Sequence, residues 1–169
     1  MSIAQSMLPE FEHEMANTRK ALERVPEDKL EWKPDPKSMS LGKLASHVAE
    51  MVGWGAMTLQ TDSLDLSPDM KPFVASSRKE LLEQFDKNVV DTRAALEKTS
   101  DADMMKTWSL TMGGSPFLSM PKVAVFRSMI MNHIIHHRAQ LTVYYRLNGV
   151  PVPALYGPSA DENSMAAAG

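Results

Sequence analysis

The chain has no cysteine among its 169 residues. That absence excludes disulfides, thiolate metal sites and a cysteine nucleophile together, and it fits a reducing compartment. No apolar run approaches the roughly 20 residues of a membrane helix. The opening stretch MSIAQSMLPEFEHE lacks the basic start and apolar core of a secretory signal. No basic run occurs either. With a formal net charge of −3 and a pI near 5.9, the chain offers no electrostatic footprint for a phosphate backbone or an anionic membrane. GxSxG, a phosphate-cradling P-loop and paired zinc knuckles are all missing. The expectation is a cytoplasmic protein whose partner is a small-molecule substrate, with no nucleic acid and no membrane.

What is present is ordinary for a globular protein: 43% hydrophobic and 23% charged residues, enough for one domain over 1–169 with its own core. The tail from about 160 to 169 has no periodicity and is expected to be mobile. Fourteen methionines fit a core of adaptable side chains, or a plastic apolar pocket beside a reactive centre.

Four segments carry helical periodicity. In the first, Met7, Leu8, Phe11, Met15, Leu22 and Val25 recur at helical spacings. Pro9 suits only a first turn, so this helix is expected to start near Ser6 to Leu8 and to close at Pro26. EDKLEWKPDPKSM reads as a long connection that packs Leu30 and Trp32 against the helices. Ser40 suits an N-cap for a second helix carried by Leu41, Leu44, Val48, Met51, Val52 and Leu59. Gly53 and Gly55 lie inside it, each costing about 1 kcal/mol relative to Ala. Close approach of a neighbour, or space for a ligand, would explain them. TDSLDLSPDMKPF reads as a loop. Ser77 and Glu80 form a capping box for the third helix.

Trp108, Leu110 and Met112 then alternate with polar residues, and Gly113-Gly114 can turn a short hairpin whose return strand Pro116 limits. The fourth helix runs from about Pro121 to Leu147, with Phe126, Met129, Ile130, His133, His137, Leu141 and Tyr144 along one inward side. The predicted class is all-α: a four-helix bundle with a short β-hairpin between helices 3 and 4.

The five histidines are unevenly spread. Residues four apart on a helix differ by about 40° around the axis and about 6 Å along it. His133 and His137 therefore point the same way and can grip one ion. His47 shares the inward side of the second helix with Leu44, Met51 and Trp54. Three neutral imidazoles from two facing helices match a metal site that keeps a position open. The alternative is structural histidines hydrogen-bonded to protein groups. Imidazole suits several metals, so the ion is one divalent metal: zinc or nickel first, then iron, copper or manganese. Glu50, one turn after His47, is the candidate catalytic base. His136 sits at the edge of the stripe, His13 on a charged face. Gln140 suits a substrate contact or a helix–helix hydrogen bond, and Arg138 a salt bridge.

These residues carry a resemblance. Ser40-Leu41-Gly42-Lys43-Leu44 leading to His47, NHIIHHRAQL at 132–141, the stretch from Tyr144 to Val150 and GPSADE at 157–162 resemble the DinB-like (DinB/YfiT) superfamily of metalloenzymes. The likeness spans nearly the whole chain, and HxxxHH-R-x-Q is its most specific motif. It implies a four-helix bundle with long crossover connections, often a homodimer, and a metal held by His47, His133 and His137. Some relatives are transferases acting with a low-molecular-weight thiol. Many relatives have glycine where this chain has Ala139. Three readings follow: a metal-dependent thiol transferase; a metal-dependent hydrolase using metal-bound water, with Glu50, Asp161 or Glu162 moving the proton; or a non-catalytic metal or small-ligand binder.

Overall fold

The computed structural model describes residues 2–66 and 69–163. Helices begin where short polar side chains satisfy the first free N–H groups. Ser2 Oγ accepts the Gln5 N–H at 3.2 Å and Gln5 Oε1 accepts the Ser2 N–H at 3.0 Å, a reciprocal box that opens α1 (Ile3–Leu22). The Asp101 carboxylate takes the Ile3 N–H at 2.7 Å. These contacts start the helix a turn earlier than Pro9 suggests, so Pro9 falls in the second turn. Gln5 and Pro9 are both exposed, so water can serve the Gln5 carbonyl that Pro9 cannot engage.

Ser40 Oγ accepts the Lys43 N–H at 3.3 Å and opens α2 (Leu41–Gln60). Ser77 Oγ accepts the Glu80 N–H at 3.2 Å and opens α3 (Arg78–Lys98). The Glu80 carboxylate turns back to the N–H and hydroxyl of Ser76 rather than to Ser77, so the expected box closes one residue early. One further turn, α4 (Asp101–Met104), is capped by Ser100. The last helical run covers 122–147 as α5 (Lys122–Val125), a π-helical turn (Phe126–Met131) and α6 (Asn132–Leu147).

α1, α3, α2 and α6 neighbour one another in that cyclic order. Phe11, Leu22, Leu41, Val48, Phe85, Leu96, Phe126 and Tyr145, each 1% exposed or less, fill the space between them. Burying one such side chain contributes about 1.5–3 kcal/mol. A methyl group at Gly55 would stand 2.6 Å from Thr92 Cγ2, and one at Gly53 would stand 2.9 Å from Asn88 Oδ1. Close approach of α3, not room for a ligand, accounts for both glycines. Thr92 Oγ1 donates to the Val52 carbonyl at 2.7 Å and accepts the Ala56 N–H at 3.1 Å, and Asn88 Nδ2 donates to the Ala49 carbonyl at 2.9 Å. The long connection packs as expected: Trp32 meets Tyr144 edge-on at 5.4 Å.

The all-α expectation needs correction. The fold is predominantly helical, with a three-stranded sheet among the described residues. Its order is β1 (Ser63–Leu66), β2 (Thr107–Met112), β3 (Ser115–Pro121), parallel for the first pair and antiparallel for the second. The hairpin is where its alternation places it, with φ of 57° and 78° at Gly113 and Gly114. β1 lies inside the stretch read as loop. β3 is seven residues long and runs on through Pro116 to Pro121, past the limit expected of that proline. It is an edge strand, and its register slips so that Leu110 faces Leu118 while Thr111 faces Pro116, leaving Phe117 bulged. Trp108 and Leu110 pack with Val125 in a second small core that Trp54 joins to the first.

The first residues of the tail, up to Glu162, bond back to the rest of the chain. Ser159 Oγ accepts the N–H groups of Asp161 and Glu162 at 3.1 and 2.9 Å. Asp161 pairs with Arg146 at 2.6 Å, and Glu162 pairs with Arg24 and accepts the Ala154 N–H at 3.0 Å. The rest of the expected mobile stretch, 164–169, lies outside the described residues. No helix among the described residues is long and apolar enough to cross a membrane.

Candidate metal centre

Along α2, Lys43, His47, Glu50 and Trp54 follow at spacings of four, three and four, so they share one stripe beside the buried one. α6 supplies His133 and His137. The π turn just before them decides where they point. An uninterrupted α-helix would put His133 and His137 under Phe126 and Ile130, in the core. The wider turn delays the register by one residue. Ile134, Arg138, Leu141 and Tyr145 take the buried positions instead, and the two histidines rotate to a half-buried edge facing α2. The inward stripe expected for the fourth helix is corrected accordingly.

The three rings meet there. His47 Nε2 stands 3.4 Å from His133 Nε2, and His133 Nε2 stands 2.7 Å from His137 Nε2. One donor nitrogen from each ring lies within 4.8 Å of the others. Two nitrogens on one tetrahedral ion, each at about 2.0–2.1 Å from it, stand about 3.4 Å apart. The His47–His133 pair matches that spacing, and the His133–His137 pair, at 2.7 Å, must open by about 0.7 Å. Three imidazoles with an open side are a donor set suited to a borderline divalent ion.

Their electrostatics keep them in the ligand form. Burial, then the rings of His137 and His133, push His47 down from 6.5 to about 4. Burial and His137 lower His133 against a hydrogen bond to the backbone of Met129, inside the π turn. Burial lowers His137, opposed by Gln140. Neutral imidazole is what a metal needs.

Gln140 bonds within its own helix rather than across helices. Its Oε1 sits 2.7 Å from His137 Nδ1 and its Nε2 sits 3.2 Å from His136 Nε2. It bridges two rings of its own helix, and by accepting the Nδ1 proton it leaves His137 Nε2 free to ligate. His136 is exposed and reaches the cluster through this bridge and a 4.9 Å ring contact with His137. His13 is exposed and bonded to Asn17, apart from the cluster. Arg138 is buried in an ion pair with Glu14 at 2.7 Å, on the far side of α6 from the histidines. Asp161 and Glu162, engaged by Arg146 and Arg24, are not brought to the histidines. Glu50 is: it lines two cavities with His47, and its Oε1 accepts the Phe73 N–H at 3.2 Å.

Three cavities open beside the rings. One of about 300 Å³ runs between α2 and Pro72–Val74, past Lys43, His47 and Glu50. A second of about 220 Å³ shares His47, Glu50 and Pro72 and extends to Trp54 and Lys71. A third of about 210 Å³ reaches His137, Gln140 and Tyr144. Sequence reasoning missed the loop wall, which has no periodicity of its own. It also missed Lys43, although its four-residue spacing to His47 was a readable signal.

A family model, DinB family, matches residues 1–166. The chain belongs to the DinB family. It is 27% identical over 155 residues to the uncharacterized protein YrdA of Bacillus subtilis (strain 168), covering 92% of this chain and 89% of that protein. A DinB-like protein from Bacillus cereus ATCC 10987 has the same fold, with a TM-score of 0.71 at 25% identity over 92% of this chain and 98% of that one. The DinB-like YjoA of Bacillus subtilis gives 0.68 at 21% identity, over 88% and 96% of the two chains, a likeness of fold.

Proposed function

We propose that this DinB-family chain holds one divalent metal ion, zinc or nickel first, through Nε2 of His47, His133 and His137, and acts as a transferase with a low-molecular-weight thiol. The observation that carries the reading is the convergence of three neutral imidazoles, of which His47 lines an apolar cavity. The ion would supply Lewis acidity that lowers the pKa of a coordinated thiol. The protein's own groups do the rest. Gln140 fixes the ring orientation of His137. Phe73 and Val74 exclude water from one wall and position the electrophile. Glu50 holds Phe73 through Oε1, and its other oxygen would receive the thiol proton.

That last feature also favours a second reading, a hydrolase in which water replaces the thiol and Glu50 takes its proton. A homodimer belongs to the proposal. Its support is an apolar groove of about 400 Å³ between α1 and α3, beside Val90, which is 65% exposed.

The test starts with elemental analysis of protein purified without a nickel column. One ion per chain is expected. Alanine at His47, His133 or His137 should remove most of it, while His13→Ala should keep it. Full occupancy in a folded His47→Ala/His133→Ala double variant would place the site elsewhere. A thiol-and-electrophile panel then separates the chemistries, since product formation without thiol supports the hydrolase.

A further inference from the structure

We propose that the cavity beside His47 takes an apolar molecule bearing one anionic group, its tail against Met39, Phe73 and Val74 and its anion on Lys43. As the substrate class of the proposed transferase this rests on that reading, but the binding itself does not need the metal.

Apolar character comes first. The cavity wall on the loop side is Pro72, Phe73 and Val74, and Met39 closes the opposite side. The loop is held in place, not draped: Phe73 N–H donates to Glu50 and Ala75 N–H to Ser46 Oγ at 2.9 Å. Met39 and Val74, which line this cavity, are 45% and 48% exposed, and Met70, 50% exposed, lines the adjoining one. Exposed apolar side chains clustered around a cleft mark a binding surface more often than chance scatter does. A tail of apolar carbons would cover them.

Charge comes second. The chain as a whole carries −3. The linked cavities reverse that balance, with Lys43 and Lys71 against Glu50. Glu50 Oε1 is already engaged by the Phe73 N–H, which reduces its claim on an ammonium. Lys43 lies one turn before His47 on the same stripe, so an anion on it points the tail along the cavity past the rings. One ammonium per cavity, with no arginine among the lining residues, suits a single carboxylate or sulfonate rather than a chain of phosphates.

The experiment uses the whole chain stripped of metal with a chelator, titrated calorimetrically with octanoate and with 1-octanol. Octanoate should bind roughly three- to fivefold more tightly, the increment of a partly exposed ion pair. Lys43→Met keeps the apolar stem and should erase that preference while leaving octanol binding within about twofold. Lys43→Arg should retain it, and circular dichroism checks that each variant is folded. Equal binding of acid and alcohol, no binding of either at millimolar concentration, or a preference that survives Lys43→Met would each overturn the proposal. Zinc titrated into the same sample separates the two claims. Octanoate binding without zinc binding would leave this inference standing and remove the metal; zinc binding without octanoate binding would do the reverse.

Discussion

At the scale of single residues, the site depends on rings kept neutral and correctly turned. Gln140 makes a direct prediction. Gln140→Leu removes the acceptor for His137 Nδ1–H and should weaken metal binding by about 10- to 100-fold, as loss of such an orienting partner does, with the helix intact by circular dichroism. Unchanged affinity would show that the hydrogen bond is incidental. The lowered pKa values set a second. His47 in the folded chain titrates near 4 against 6.5 ordinarily. Between those values the unfolded state binds a proton that the folded state refuses. Stability of the metal-free protein is therefore full above pH 6.5 and falls as pH drops toward 4. Burial moves His133 and His137 in the same direction. Urea midpoints measured from pH 7 to pH 5 should decline, and the decline should flatten in His47→Gln. That His47, His133 and His137 come together was legible because the i, i+4 spacing and the placing of His47 on a second helix are local facts. Gln140's bridge was not, because an exposed amide three residues after a histidine has many partners open to it.

At the scale of elements, the helices announced themselves through apolar spacing and through Ser40 and Ser77. Two failures have physical causes. The π turn at Phe126–Met131 carries no composition signal, and it shifts every later side chain by about 100° relative to the α reading. β1 is four residues long, and its Leu64–Leu66 alternation is hidden among turn formers; its partner strand lies more than forty residues away. The α2–α3 contact yields the next prediction. Gly55→Ala gains about 1 kcal/mol of helix propensity, but its methyl would meet Thr92 Cγ2 at 2.6 Å and Phe126 Cε2 at 3.1 Å. Overpacking of this kind costs about 1–3 kcal/mol, so net destabilisation is expected. Thr92→Ser removes the offending methyl and keeps the hydroxyl bonded to Val52 and Ala56. The double variant should recover part of the loss in a denaturation cycle. A Gly55→Ala protein as stable as the parent would mean that the helices part at no cost.

At the scale of the whole molecule, one buried cluster joins distant parts of the chain. Arg138 donates to Glu14 Oε2 at 2.7 Å, to the Glu14 carbonyl at 3.0 Å and to Thr18 Oγ1 at 3.0 Å. The Tyr156 hydroxyl donates to Glu14 Oε2 at 2.7 Å and also contacts Arg138. The Arg138 and Glu14 side chains are 1% and 7% exposed, so water offers neither much relief. Glu14→Ala would strand a guanidinium in the interior, and breaking a buried pair from one side costs about 3–5 kcal/mol. Replacing both partners, as in Glu14→Leu with Arg138→Met, removes the stranded charge along with the bond. The double variant should therefore lose far less than the two single losses added together. Because the cluster ties α1, α6 and the tail, we propose that the chain unfolds as one domain. Far-UV and near-UV circular dichroism should give the same urea midpoint in the parent and in each variant that still folds. Two separated midpoints, with the tail end released before the helices, would show that Tyr156 and Glu162 only lean against a unit that is stable without them.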